Sequence, residues 1–146
     1  MVEDEDSIRQ LVEILLESAG HDAEGAASGP EALECLSERP FDLVVLDLML
    51  GRISGWQVLR QMERWNLRAR TKVLILTARA SERDILHGWR MGVDEYVTKP
   101  FEPDVFLEAV RDTLRRSPEE LAVRREEELH KSELLYRLQL AFDDVG

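Results

Sequence analysis

The stretch LVVLDLMLGRISG, residues 43–55, is apolar nearly throughout and carries one acid, Asp47, near its centre. A buried, unpaired carboxylate costs several kcal/mol or titrates to its neutral form. Asp47 therefore stands either in water at the end of a strand or beside a partner. The segment leading into it, Phe41–Asp47, is a continuous apolar run, and Lys72–Thr77 is a second. Runs of this kind suit strands buried on both faces, as in a parallel sheet. Glu95–Thr98 is a shorter strand of the same type, and His21–Ala26 alternates more like an edge strand.

Helical patterns lie between the strands. Ile8, Leu11, Val12, Leu15, Leu16 and Ala19 recur at spacings of three and four, with Gly20 as the stop. Ser28 to Glu31, Ser54 to Gln57 and Ser81 to Asp84 open three further helices with capping signatures. Pro103 sits in the first turn of another, before Val105, Phe106, Ala109, Val110 and Leu114. Strand and helix alternate about five times, which predicts a doubly wound parallel sheet with helices on both faces. The first strand is the anomaly: only Met1 and Val2 precede the acids Glu3 to Asp6.

The segment Ser117 to Glu120 is a fresh helix start, so residues 1–116 form one unit and 117–146 an amphipathic helical extension. That extension holds eight acids and four bases, with Leu121, Leu129, Leu135, Leu138, Phe142 and Val145 in a helical pattern. Two readings stand for it: a helix packed on its own domain, or a linker, dimerisation or signalling helix. Leu135, Leu138, Phe142 and Val145 fit heptad core positions, but Glu128 and Lys131 break the seam one turn earlier.

The bulk numbers narrow the classes. A chain of 146 residues suits one domain with a short appendage, and 44% hydrophobic with 34% charged residues suits a packed, water-exposed protein. A net charge of −11 argues against direct nucleic-acid binding. A single cysteine, Cys35, excludes an intramolecular disulfide and a cysteine-rich zinc site. No run is long enough to span a membrane and the first residues are acidic, so the expected location is cytoplasmic.

In a doubly wound sheet, ligands bind beyond the carboxyl ends of the strands. That rim collects Glu3 and Asp4 after strand one, Asp47 after strand three, Thr77 after strand four and Lys99-Pro100 after strand five. Crowded carboxylates repel unless a cation joins them, and hard oxygen ligands suit Mg²⁺. Asp47 is then placed as a nucleophile toward phosphorus, with Lys99 and Thr77 to steady the transferring oxygens.

Four motifs taken together, Val2–Glu5, Leu43–Leu50, Ile75–Ala78 and Tyr96–Phe101, resemble the receiver domain of two-component response regulators, CheY-like in type. The resemblance covers residues 1–116. It implies a five-stranded, flavodoxin-like parallel sheet of order 2-1-3-4-5, and a phospho-acceptor rather than a conventional enzyme, with self-catalysed phosphotransfer and slow autodephosphorylation. By it, Asp47 accepts the phosphoryl group. Glu3, Asp4, Asp47 and the Met49 backbone carbonyl hold Mg²⁺, Lys99 binds the phosphoryl group, and Thr77 and Tyr96 switch. The implied partner is a sensor histidine kinase or phosphotransfer protein, with an output partner and a possible homodimer through 117–146. Gly51 departs from the family's usual proline, and Val105 and Ala109 from the charges of one dimerising subgroup. The rivals are a pseudo-receiver that takes no phosphate and a Mg²⁺-dependent phosphohydrolase. The latter would carry a second acid where Met49 stands.

Overall fold

A computed structural model describes residues 1–145, with Val145 described by its backbone only. Gly146 and the Val145 side chain of the heptad pattern lie outside the described residues. The elements run α1 (Asp6–Ser18), α2 (Gly29–Glu38), β1 (Leu43–Leu46), α3 (Gly55–Arg64), β2 (Lys72–Thr77), α4 (Glu82–Arg90), β3 (Glu95–Thr98), α5 (Pro103–Arg115) and α6 (Pro118–Val145).

The three strands form a parallel sheet of order β1-β2-β3, with Leu43 opposite Lys72 and Leu74 opposite Glu95. The expected first and second strands are reduced to single bridges, Val2 with Leu46 and Val2 with Ala26. The spatial order is therefore Ala26, Val2, β1, β2, β3, which keeps the expected 2-1-3-4-5 arrangement. Among the described residues, three of the five strands reach full strand pairing. Val2 bonds on both sides. Val2 uses both of its groups: its N–H donates to Val45 at 2.8 Å, and its carbonyl accepts from Asp47 N–H at 3.1 Å. Ala26 donates to the Met1 carbonyl at 2.8 Å, and Glu3 N–H donates to Ala26 at 3.0 Å. The Met1 ammonium donates to the Glu24 carbonyl at 2.8 Å, and burial lowers its pKa to about 6.

The period-two alternation of the strands splits the core. Val44, Leu46, Val73 and Ile75 face Val58, Leu59, Met62, Trp89 and Val93 from the α3 and α4 side. Val45, Leu74 and Leu76 face Val12, Leu16, Phe106 and Val110 of α1 and α5. Helices thus cover both faces, and the only exits for polar side chains are the two rims. The starts are capped as their sequences dictate. Ser28 accepts from Glu31 N–H at 3.2 Å, Ser81 from Asp84 N–H at 3.1 Å, and Ser54 forms a reciprocal box with Gln57. Gly92, at φ +83°, turns the chain out of α4 into β3.

Ser117 and Glu120 form a second reciprocal box that starts α6 afresh. This helix of 28 residues lies across α4. Leu121 and Ser132 are buried, and Leu129 packs on the α3–α4 side of the core. Leu134, Leu135, Leu138 and Phe142 point to solvent, at 48%, 39%, 56% and 76% exposure. The leucine pattern of the extension is therefore two faces, one docked near its start and one open near its end.

Candidate functional site

The carboxyl rim carries the site. β1 ends at Leu46, so Asp47 is the first residue beyond the strand, and it is 4% exposed. Its backbone is tied to Val2, its Oδ1 accepts from Met49 N–H at 3.0 Å, and its Oδ2 accepts from Lys99 at 2.9 Å. The same Lys99 ammonium donates to Glu3 Oε2 at 2.9 Å. Lys99 leaves β3 through a bond from its N–H to the Thr77 carbonyl at 2.8 Å, and a cis Lys99-Pro100 peptide follows it. Oxygens of Glu3, Asp4 and Asp47 lie within 4.8 Å of one another, with Glu3 and Asp47 buried and Asp4 exposed.

The electrostatics follow from two carboxylates sharing one ammonium. Burial, reinforced by the hydrogen bond to Asp47, pushes Glu3 up to about 7. Burial acts on Asp47 in the same direction. There, hydrogen bonds with Glu3, the Met49 N–H and Lys99 outweigh it and hold the carboxyl below its usual range. Lys99 is raised, because the Asp47 and Glu3 carboxylates outweigh the burial that opposes its charge. The pair behaves as one charged Asp47 and one proton shared through Glu3. A dication, which favours ionised oxygen ligands, fits this donor set of two buried acids and one exposed acid.

Thr77 is fully buried at the end of β2, and its Oγ1 accepts weakly from Arg79 N–H at 3.4 Å. Tyr96 is half-buried. Its hydroxyl donates to the Arg79 carbonyl at 2.7 Å, and burial, then Asp84, raise its pKa. Its ring lies on Gly88, where a Cβ would stand 2.7 Å from Cδ2. The Met49 side chain is exposed, so no acid occupies the position that a phosphohydrolase would use. Trp56 meets His87 edge-on, at 4.5 Å between ring centroids, on the α3–α4 side.

The sequence reading missed Arg9. It reaches back from α1 to donate to the Glu3 carbonyl at 2.9 Å, and holds Asp6 at 2.6 Å. Asp94 was missed as well. It is buried, accepts from Val73 N–H at 2.9 Å, and pairs with Arg68 and Arg125. An acid placed directly before an apolar strand was the available signal for Asp94. Arg9 had none beyond its spacing from Asp6.

A parallel α/β sheet with a lysine-bridged pair of acids at its carboxyl rim defines a phospho-acceptor module. The chain belongs to the response regulator receiver domain family, whose sequence profile matches residues 1–111. The transcriptional regulatory protein AfsQ1 of Streptomyces coelicolor is 38% identical over 120 residues, 82% of this chain and 52% of that protein. The alkaline phosphatase synthesis regulatory protein PhoP of Bacillus subtilis is 39% identical over 117 residues, 80% of this chain and 48% of that protein. The chain spans about half the length of these curated relatives. Among solved structures, the beryllofluoride-activated DrrB receiver domain is 34% identical with a TM-score of 0.70, over 79% of this chain and 94% of that one. The non-phosphorylated HemR receiver of Leptospira biflexa is 28% identical with a TM-score of 0.73, over 80% and 92%. The fold and the two-component signalling class expected from the four motifs are thereby borne out. Among the described residues no helix is long and apolar enough to cross a membrane.

Proposed function

We propose that this receiver takes a phosphoryl group on Asp47 from a phosphohistidine of a sensor kinase or phosphotransfer protein in the cytoplasm, and passes its state to an output through α4, β3 and α6. The observation that carries this reading is the single ammonium of Lys99, 2.9 Å from both Asp47 Oδ2 and Glu3 Oε2. With the hydrogen bonds from Glu3 and the Met49 N–H, it favours the ionised form of the buried Asp47, which is the state a carboxylate nucleophile needs. An Asp47 oxygen forms the new bond to phosphorus as the P–N bond breaks, and the imidazole nitrogen leaves with the electron pair. Lys99 then neutralises charge on the transferred oxygens, and the Thr77 hydroxyl at the end of β2 donates to one of them.

Glu3, Asp4, Asp47 and the Met49 carbonyl are the residues that would hold Mg²⁺. When bound, Mg²⁺ supplies charge neutralisation at the acceptor and at the phosphoryl oxygens. In this reading Tyr96 switches: it leaves the Arg79 carbonyl that its hydroxyl now holds and turns inward as Thr77 moves to the phosphoryl group. Pairing of two chains through the exposed end of α6 is part of the same proposal, since Leu134, Leu135, Leu138 and Phe142 present an apolar stripe.

The test is label uptake from acetyl phosphate with Mg²⁺. The wild-type chain is expected to gain an acid-stable, base-labile phosphoryl group, and Asp47→Asn none. Uptake by Asp47→Asn at the wild-type level would overturn the assignment.

A further inference from the structure

At about 100° per residue, Leu121, Arg125, Leu129, Ser132 and Tyr136 fall on one side of α6, and Leu134, Leu138 and Phe142 on the other. The first set faces the domain. Its apolar hold is thin, with Leu121 and Leu129 as the main contributors. The rest is ionic. Arg124 pairs with Glu95 at 2.5 Å and lies 6.0 Å from the Trp89 ring centroid. Arg125 pairs with Asp94 at 2.7 Å and donates through Nε to the Val93 carbonyl at 3.2 Å. Arg90 of α4 meets Glu133 at 3.6 Å.

Asp94 and Glu95 are not scattered surface acids. They begin the run that continues through Tyr96 and Thr98 to Lys99, which ends on Asp47. Asp94 is also fixed to β2 by the Val73 N–H and to the end of α4, because Arg68 bridges it to the Gly92 carbonyl. At the other end of α4, Tyr136 of α6 lines the same cavity as Arg79, whose carbonyl Tyr96 holds. One short strand therefore touches α6 at its start and the acid site at its end.

We infer that Arg124 and Arg125 latch α6 onto Asp94 and Glu95, and that this latch is releasable and reads the state of Asp47 along β3. The coupling half of the inference rests on the proposed phosphoryl acceptance; the latch itself does not. Both arginines are about one-third exposed, at 29% and 31%, and their buried acids keep other donors when they leave: Asp94 keeps Arg68 and the Val73 N–H, and Glu95 keeps the Tyr96 N–H, which is what lets the pairs exchange. A helix held mainly by such pairs opens locally without unfolding the sheet.

Hydrogen exchange on the whole chain tests both halves. R124A/R125A is expected to speed exchange of the α6 amides between Leu121 and Ser132 by roughly tenfold or more while the β2 amides stay protected. Raised salt is expected to act in the same direction on the wild type. Unchanged α6 exchange in R124A/R125A overturns the latch. Beryllofluoride with Mg²⁺ is expected to change α6 exchange in the wild type and not in Asp47→Asn. Unchanged exchange, with calorimetry reporting that the ligand has bound, overturns the coupling. Failure of the ligand to bind counts instead against the proposed acceptance and takes the coupling with it, leaving the R124A/R125A result to decide the latch.

Discussion

Gly55 is the first residue of α3, and it lies against the backbone that carries Asp47. A Cβ there would stand 2.3 Å from the Asp47 carbonyl oxygen, 2.9 Å from Leu48 Cα and 3.1 Å from the Asp47 carbonyl carbon. Ordinary contact is about 3.5 Å, so Gly55→Ala is short by roughly 1 Å against atoms that cannot rotate away. Asp47 is tied to Val2 on one side, and Gly55 itself donates to Leu48 at 3.1 Å on the other, so relief means moving the site loop. Overpacking of this kind costs about 1–3 kcal/mol, partly offset by about 0.5–1 kcal/mol because alanine suits a helix better than glycine. A net loss of about 1 kcal/mol lowers Tm by roughly 3–4 °C for a chain of this size. The function suffers more than the fold, because misplacing a nucleophile by about 1 Å costs up to about 100-fold in rate. Gly51 is the internal control. It sits in the same loop, nothing lies within 4 Å of its Cβ position, and its φ lies outside the left-handed region. Gly51→Ala is therefore expected to be neutral, or to gain about 0.4–1 kcal/mol. Thermal melts and phosphoryl uptake on the two variants give the answer. Equal Tm and equal uptake would refute the claim that Gly55 sets the position of Asp47.

Three further outcomes follow from the same coordinates. Since Glu3 titrates at about 7, its charged share rises from roughly one-tenth at pH 6 to roughly nine-tenths at pH 8, and apparent Mg²⁺ affinity rises roughly tenfold in that window. The sign is that of proton competition: the metal displaces a proton which Glu3 keeps below that pH and has already lost above it. Calorimetric Mg²⁺ titrations across this window check this, and a flat profile in the wild type removes the Glu3 proton from the account. Arg9→Ala removes the charged donor to the Glu3 carbonyl, a bond of about 1.5–3 kcal/mol, and is expected to weaken Mg²⁺ by roughly tenfold, with Arg9→Lys restoring part of it. Unchanged affinity would mean that the bridges through Val2 suffice to hold Glu3. Lys99→Ala leaves two buried acids without their ammonium, so it is expected to destabilise the metal-free chain by about 3 kcal/mol. Part of that loss should return in melts with Mg²⁺, and equal losses with and without the cation would show that the metal does not replace the lysine's charge.

What the sequence made legible was set by the range of the forces involved. β1 and β2 are written as apolar runs because both faces of each are buried, and the helix starts as serine caps because capping is local. Asp47, Thr77 and Lys99 were legible as a site because a parallel sheet delivers all its strand ends to one rim. The first two strands, reduced to the bridges of Val2 with Leu46 and Ala26, were less legible, because His21–Gly25 alternates without a continuous apolar run. The extension shows the limit most clearly. Its leucine spacing states that α6 has apolar faces, and cannot state which face is docked, because a helix crossing α4 leaves it near Tyr136 and carries the same pattern into water as far as Phe142. The partners of Arg124 and Arg125 lie about thirty residues upstream, at Glu95 and Asp94, and no local period records such a pairing. Asp94 and Glu95 are buried acids, so what marks them is an acid where the core begins, while the arginines that meet them come from a helix whose own pattern records only its apolar faces.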